Sequence, residues 1–156
     1  MLRILERAYL HRDKVAMISF RKTGAQILLA PTRSVELARR LVETLPAGGT
    51  TPLAAGLIKT LEIARQSRLA GVRNVALVLF TDGRANVAWA GGSIDEELRL
   101  LGAALQVNGI SLTLVDTRLR FVSGGEAEKL ARLIAARYLY LPRNDAASLA
   151  REIVRR

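Results

Sequence analysis

Gly48-Gly49-Thr50-Thr51-Pro52-Leu53 and Thr81-Asp82-Gly83-Arg84-Ala85-Asn86 are the stretches on which the reading of this chain turns. The first breaks one helical pattern and opens another. The second closes Val75-Ala76-Leu77-Val78-Leu79-Phe80, a run that is apolar on both faces. Strands of that kind lie buried inside parallel sheets. If both loops sit at one rim of the sheet, the Thr51 hydroxyl and the Asp82 carboxylate share a crevice. Two oxygen donors in a crevice suit a hard divalent cation. The plainer alternatives are an N-cap for Thr51 and a turn aspartate before glycine for Asp82.

Working outward, Thr51 followed by Pro52 predicts an N-cap with proline at the first helical position. Leu53, Leu57, Leu61 and Ala64 form the inward face of a helix running to about Gln66, and Gly71 turns the chain into the strand at 74–81. Upstream, residues 2–9 carry Leu2, Leu5, Ala8 and Tyr9 at helical spacing, and His11 sits at the helix end. Strands are expected at 14–20 and 25–30, joined by Lys22-Thr23-Gly24 into an antiparallel hairpin. Ser34 then caps a helix with Leu37, Leu41, Val42 and Leu45 inward. Downstream, Ser93 with Glu96 and Ser123 with Glu126 read as capping boxes, each opening a helix. Strands at 110–116 and 138–141 follow those helices, and a last helix carries Leu149 and Ile153. Strands alternating with helices imply an α/β sandwich with a mainly parallel sheet and one antiparallel hairpin strand. Ligands of such sheets bind beyond the carboxyl ends of the strands, where Asp82 and Asp116 lie.

Composition narrows the chemistry. The 156 residues fit one domain, 1–156. There is no cysteine and a single histidine, which removes disulfides, thiol nucleophiles and zinc knuckles. Neither GxxxxGK[ST] nor GxGxxG occurs, so no nucleotide site is expected. The net charge of +10 is uneven: residues 1–73 carry +8, 74–117 carry −3 and 118–156 carry +5. The acidic third holds Asp82, and the arginines recur along helices, which favours an acidic protein partner over nucleic acid. No membrane span and no secretory signal are read, and the expected compartment is the cytoplasm.

The blocks Arg12–Arg21, Leu29–Ser34, Gly48–Ala54 and Thr81–Val87, with Val115-Asp116-Thr117, closely resemble the C-terminal von Willebrand A (integrin I-like) domain of the magnesium-chelatase D subunit. The resemblance covers essentially the whole chain. It implies a Rossmann-like three-layer sandwich and a metal-ion-dependent adhesion site. In that site a DxSxS motif after the central strand supplies an aspartate and two serines, while a threonine and a second aspartate map onto Thr51 and Asp82. Gly48, Gly49, Thr50, Gly83 and Arg84 would form the supporting loops, with Arg84 facing acidic partner groups. The implied role is a non-catalytic docking module for the AAA+ ATPase and porphyrin-binding subunits of the complex that inserts magnesium into protoporphyrin. A free-standing A-domain adaptor for another AAA+ ATPase is the alternative. The DxSxS motif and its strand have no counterpart in this sequence, which begins inside the first helix. The expectation is a truncated domain, from a shortened reading frame or a split gene, with Mg2+ binding weak or absent. Its strands at 14–20 and 74–81 would then pair with each other, leave a groove, or accept a strand from elsewhere, including from an oligomer.

Overall fold

A computed structural model describes residues 2–22, 24–44, 51–81, 92–117 and 125–140. Helix α1 (Leu2–Leu10) is followed by strands β1 (Val15–Arg21) and β2 (Gly24–Thr32), helices α2 (Val35–Thr44) and α3 (Leu53–Leu69), and strand β3 (Val75–Thr81). Helix α4 (Ile94–Val107), strand β4 (Ile110–Asp116), helix α5 (Glu126–Leu133) and strand β5 (Arg137–Tyr140) complete the order. The expected final helix lies outside the described residues.

Most elements arise where the pattern places them. The His11 amide donates to the Arg7 carbonyl at 3.0 Å, and Arg12 takes a left-handed conformation (φ 56°) that turns the chain out of α1. Gly71 and Gly109, both at positive φ, end the turns after α3 and α4. Helix starts depart from expectation. At α3 the N-cap is Pro52 rather than Thr51, with no side-chain cap hydrogen bond, and the Thr51 carbonyl accepts the Leu53 amide at 2.9 Å. Ser93 does occupy the N-cap of α4, but the box is not closed; its carbonyl accepts the Glu97 amide at 3.0 Å. Glu126 is the first residue of α5 behind a left-handed Gly125, and Ser123 of the second expected box lies outside the described residues.

The expected single sheet is divided. β1 and β2 form a two-stranded antiparallel sheet, and β3, β4 and β5 form a three-stranded parallel sheet in the order β3-β4-β5. β1 and β3 are not hydrogen-bonded to each other. The core lies where β4 meets the helices: Leu53 and Leu57 of α3, Leu98 and Leu105 of α4, Leu114 of β4 and Ile134 are almost fully removed from solvent. Gly102 lets α4 approach the backbone at Ile134; a Cβ there would stand 2.6 Å from the Ile134 carbonyl oxygen.

The burial of β3 corrects the sequence reading. A strand expected to be buried on both faces has only Leu79 and Thr81 fully buried, and Ala76 is exposed. Every residue of β1 is likewise half-buried. β4, flanked by strands on both sides, has five of its seven residues buried. β2 and β5 have no fully buried residue either, so β4 alone among the described strands is mostly buried.

Candidate functional site

The direction of each element fixes which loops share a rim. Residues 70–74 connect the end of α3 directly to the start of β3, so α3 runs back along the sheet and its first turn lies toward the carboxyl end of β3. Gly56, in that first turn, packs against Phe20 near the end of β1, with a built Cβ 3.0 Å from the ring. The carboxyl ends of β1 and β3 therefore lie at the amino-terminal end of α3, and the two strands run the same way.

A groove of about 890 Å³ occupies the space between the two sheets. All seven residues of β1 and all seven of β3 line it, with Ile4, Leu5 and Ala8 of α1 and one face of α3. Thr51 and Thr81 both border it. Thr51 is half-buried at the amino-terminal end of α3, and Thr81 is the buried last residue of β3. The structure thus brings Thr51 to the rim at which the chain leaves β3 toward Asp82. Asp82 itself, with Gly48, Gly49, Thr50, Gly83 and Arg84, lies outside the described residues.

The same rim is tied together across β3, β4 and β5. The Thr117 amide and hydroxyl both donate to the Thr81 carbonyl, at 3.2 and 3.3 Å. Asp116, completely buried at the end of β4, accepts a hydrogen bond from the Tyr138 hydroxyl at 3.1 Å. Burial, then the hydrogen bond to Asp116 and the carboxylate's charge, push the Tyr138 phenol up to about 12. A phenol held protonated in this way is a clamp on a buried carboxylate rather than an acid or base at neutral pH. Sequence reasoning placed Asp116 at the rim and missed Tyr138. In the parallel register Tyr138 stands beside Leu114, two residues before Asp116 and on the same face. That register is the signal that would have found it.

A divalent cation needs several oxygen donors. Among the described residues the expected set contributes only the Thr51 hydroxyl, and no cluster of three or more His, Cys, Asp or Glu stands ready to hold a metal. The described residues alone do not make a magnesium cradle. No helix among them is long and apolar enough to cross a membrane.

The parallel three-stranded sheet, the antiparallel hairpin and the intervening helices define a von Willebrand A-type α/β domain. The fold matches the SpRpn10 VWA domain with a TM-score of 0.64 at 11% identity, over 96% of this chain and 78% of that one. It also matches an aerotolerance-related membrane protein from Bacteroides fragilis with a TM-score of 0.71 at 16% identity, over 97% and 83% of the two chains. No protein-family model matches the sequence. The chain belongs to the family of the uncharacterized protein MJ0910 of Methanocaldococcus jannaschii, to which it is 33% identical over 84% of its own length and 76% of that protein's. It is 40% identical over 92% of its length to the magnesium-chelatase 67 kDa subunit of Chlorobaculum parvum, covering 25% of that subunit. It is 37% identical over 94% of its length to the magnesium-chelatase 60 kDa subunit of Rhodobacter capsulatus, covering 26% of that one. The chain therefore spans about a quarter of the chelatase subunits it matches.

Proposed function

We propose that this chain is a non-catalytic interaction module of the magnesium-chelatase type, which docks the AAA+ ATPase subunit and the porphyrin-binding subunit of that complex. The observation that supports it is the 40% identity to a chelatase subunit across nearly the whole chain. The Thr51 rim is the docking edge, with Asp82 as the second oxygen donor and Gly48, Gly49, Thr50, Gly83 and Arg84 forming the loops around it. Mg2+ is held weakly or not at all by this chain, because one hydroxyl and one carboxylate leave most of its coordination to water. The chain on its own inserts no metal and hydrolyses no ATP, and it works in the cytoplasm.

The test is reconstitution. The chain, mixed with the purified ATPase and porphyrin-binding subunits of a chelatase, should co-elute with one or both and should slow the complete complex by competing with the resident subunit. Failure to associate with either subunit, with no effect on the complete complex, overturns the proposal. A second reading is a free-standing A-domain adaptor for another AAA+ ATPase. It is supported by MJ0910, three quarters of whose length this chain matches. Binding to an unrelated AAA+ ATPase in place of the chelatase subunits would favour it.

A further inference from the structure

The helices that cover the parallel sheet carry a second groove, at the end of the domain away from the Thr51 rim. Short turns join α3 to the start of β3 and α4 to the start of β4, so both helices run toward that end. They meet there: the Arg68 guanidinium donates to the Asn108 carbonyl. Leu61, Glu62, Arg65, Gln66, Leu69 and Asn108 enclose about 520 Å³. Leu61, Arg65 and Leu69 stand four residues apart and line one edge of α3 for about 12 Å. On α4, Leu100, Ala104 and Val107 recur at helical spacing, away from the buried Leu98 and Leu105.

Two properties separate this groove from an ordinary solvated helix face. The first is apolar exposure. Val107 and Leu69, 88% and 82% exposed, are the two most exposed large apolar side chains among the described residues. Each is the chain neighbour of a member of the bonded Arg68–Asn108 pair, so they lie at one place. Beneath them Leu61 and Leu101 pack against the core, which gives the groove a firm floor. The second is charge. Lys59 Nζ pairs with Glu62 at 2.6 Å and cancels the acidic residue that lines the groove. Arg65 is exposed and makes no ion pair among the described residues, and Arg68 adds a second positive charge. The uncompensated charge beside the apolar surface is therefore basic. A second copy of this face would set the same arginines against each other, which disfavours self-association. Two neighbouring helices that run the same way present a furrow into which the ridge of a third helix packs.

We propose that the α3–α4 groove binds an amphipathic helix of a partner protein, about two to three turns long, by a stripe of apolar residues at i, i+4 and i+7 laid between Leu69 and Val107. A carboxylate beside that stripe pairs with Arg65 and fixes the direction of the helix. The groove lies at the opposite end of the sheet from the Thr51 rim, so the proposal is independent of the chelatase reading.

The probes are stapled helical peptides of about 14 residues, a panel with Leu, Met or Phe at the three stripe positions and Glu beside them. One control scrambles each sequence, and another replaces Glu with Lys. The full chain is titrated by fluorescence anisotropy, and its backbone amide shifts are followed by NMR. Saturable binding by at least one member is expected, with shifts in 61–69 and 100–108 and none at Thr51 or Thr81. Leu69→Ser and Val107→Ser change exposed side chains and leave the core intact; each should weaken binding at least about tenfold. Arg65→Glu should weaken the Glu peptide several-fold and reverse the preference toward the Lys peptide, an exchange that non-specific apolar adhesion does not produce. Absence of saturable binding across the panel, equal binding of the scrambled peptides, or no reversal with Arg65→Glu overturns the proposal. So does self-association of the chain that Leu69→Ser abolishes, since a second copy then occupies the groove. No chelatase subunit enters the assay, so its failure and that of the docking role are read separately.

Discussion

The substitution Gly102→Ala should destabilise this protein although it replaces the poorest ordinary helix former with the best. The propensity gain in a helix interior is about 1 kcal/mol. Against it stands the packing of α4 on the end of α5. A Cβ at position 102 would lie 2.6 Å from the Ile134 carbonyl oxygen and 2.7 Å from its carbonyl carbon and Cα. Comfortable separations are about 3.5–4.0 Å, so the two segments would have to part by about 1 Å. The obstructing atoms cannot swing aside because they are backbone. Ile134 is fully buried, its amide donates to Leu130, and the next two amides donate to Arg132 and Ala131. Overpacking of this kind costs about 1–3 kcal/mol, and an unyielding neighbour puts it at the upper end. The net expectation is a loss of about 1–2 kcal/mol. With a urea dependence of about 2 kcal/mol per M, that lowers the unfolding midpoint by about 0.5–1 M. Gly56→Ala is the internal control. It offers the same propensity gain, but the obstruction is the Phe20 ring at 3.0–3.1 Å, part of a half-buried side chain bordering the groove between the sheets. That ring can turn, so the expected change is between zero and a gain of about 1 kcal/mol. A Gly102→Ala variant as stable as the native chain, or the two variants shifting alike, would refute the close approach of α4 to Ile134.

Three further outcomes follow from the same coordinates. Tyr138 should titrate late: the ultraviolet absorbance of its phenolate, identified by difference from Tyr138→Phe, should rise near 12 instead of 10.0, and Asp116→Asn should bring the midpoint down. Because the folded form holds this proton more tightly than the unfolded form, stability from the pair is present below pH 10 and is lost as pH climbs from about 10 to about 12; a Tyr138 midpoint at the ordinary value would remove the clamp. Leu114→Ala, at a fully buried position on the central strand of the parallel sheet, should cost about 2–5 kcal/mol in urea unfolding, and a loss below about 1 kcal/mol would place the core elsewhere. Calorimetric titration with Mg2+ should give weak heats or none; tight binding abolished by Thr51→Val or Asp82→Asn would show that this chain completes a cation site by itself.

The sequence carried the fold well where periodicity decides it. The strand at 110–116 has the expected limits, and the described helices and remaining strands fall within a few residues of the patterned stretches. The A-type fold expected from the resemblance is the fold observed, matched by solved domains at identities too low for sequence alone to reveal. The helix starts were less legible, because capping is a matter of one hydroxyl's orientation. Pro52 takes the position assigned to Thr51, and the Ser93–Glu96 pair does not close into a box. The Asp116–Tyr138 pair depends on the register of two parallel strands, which no local pattern specifies. Of the candidate cation site, the rim position of Thr51 can be placed, and Asp82 lies outside the described residues.

The largest departure, the half-exposed β3, is informative because the pattern and the structure describe different conditions of the same strand. A run such as Val75–Phe80 is apolar on successive residues, which suits a position with neighbours on both edges and cover on both faces. Among the described residues β4 has two strand neighbours and is buried accordingly, while β3 has one and β1 has one. The side chains of β1 and β3 suit a wider sheet than these two sheets make separately, and the groove lies where that sheet would be continuous.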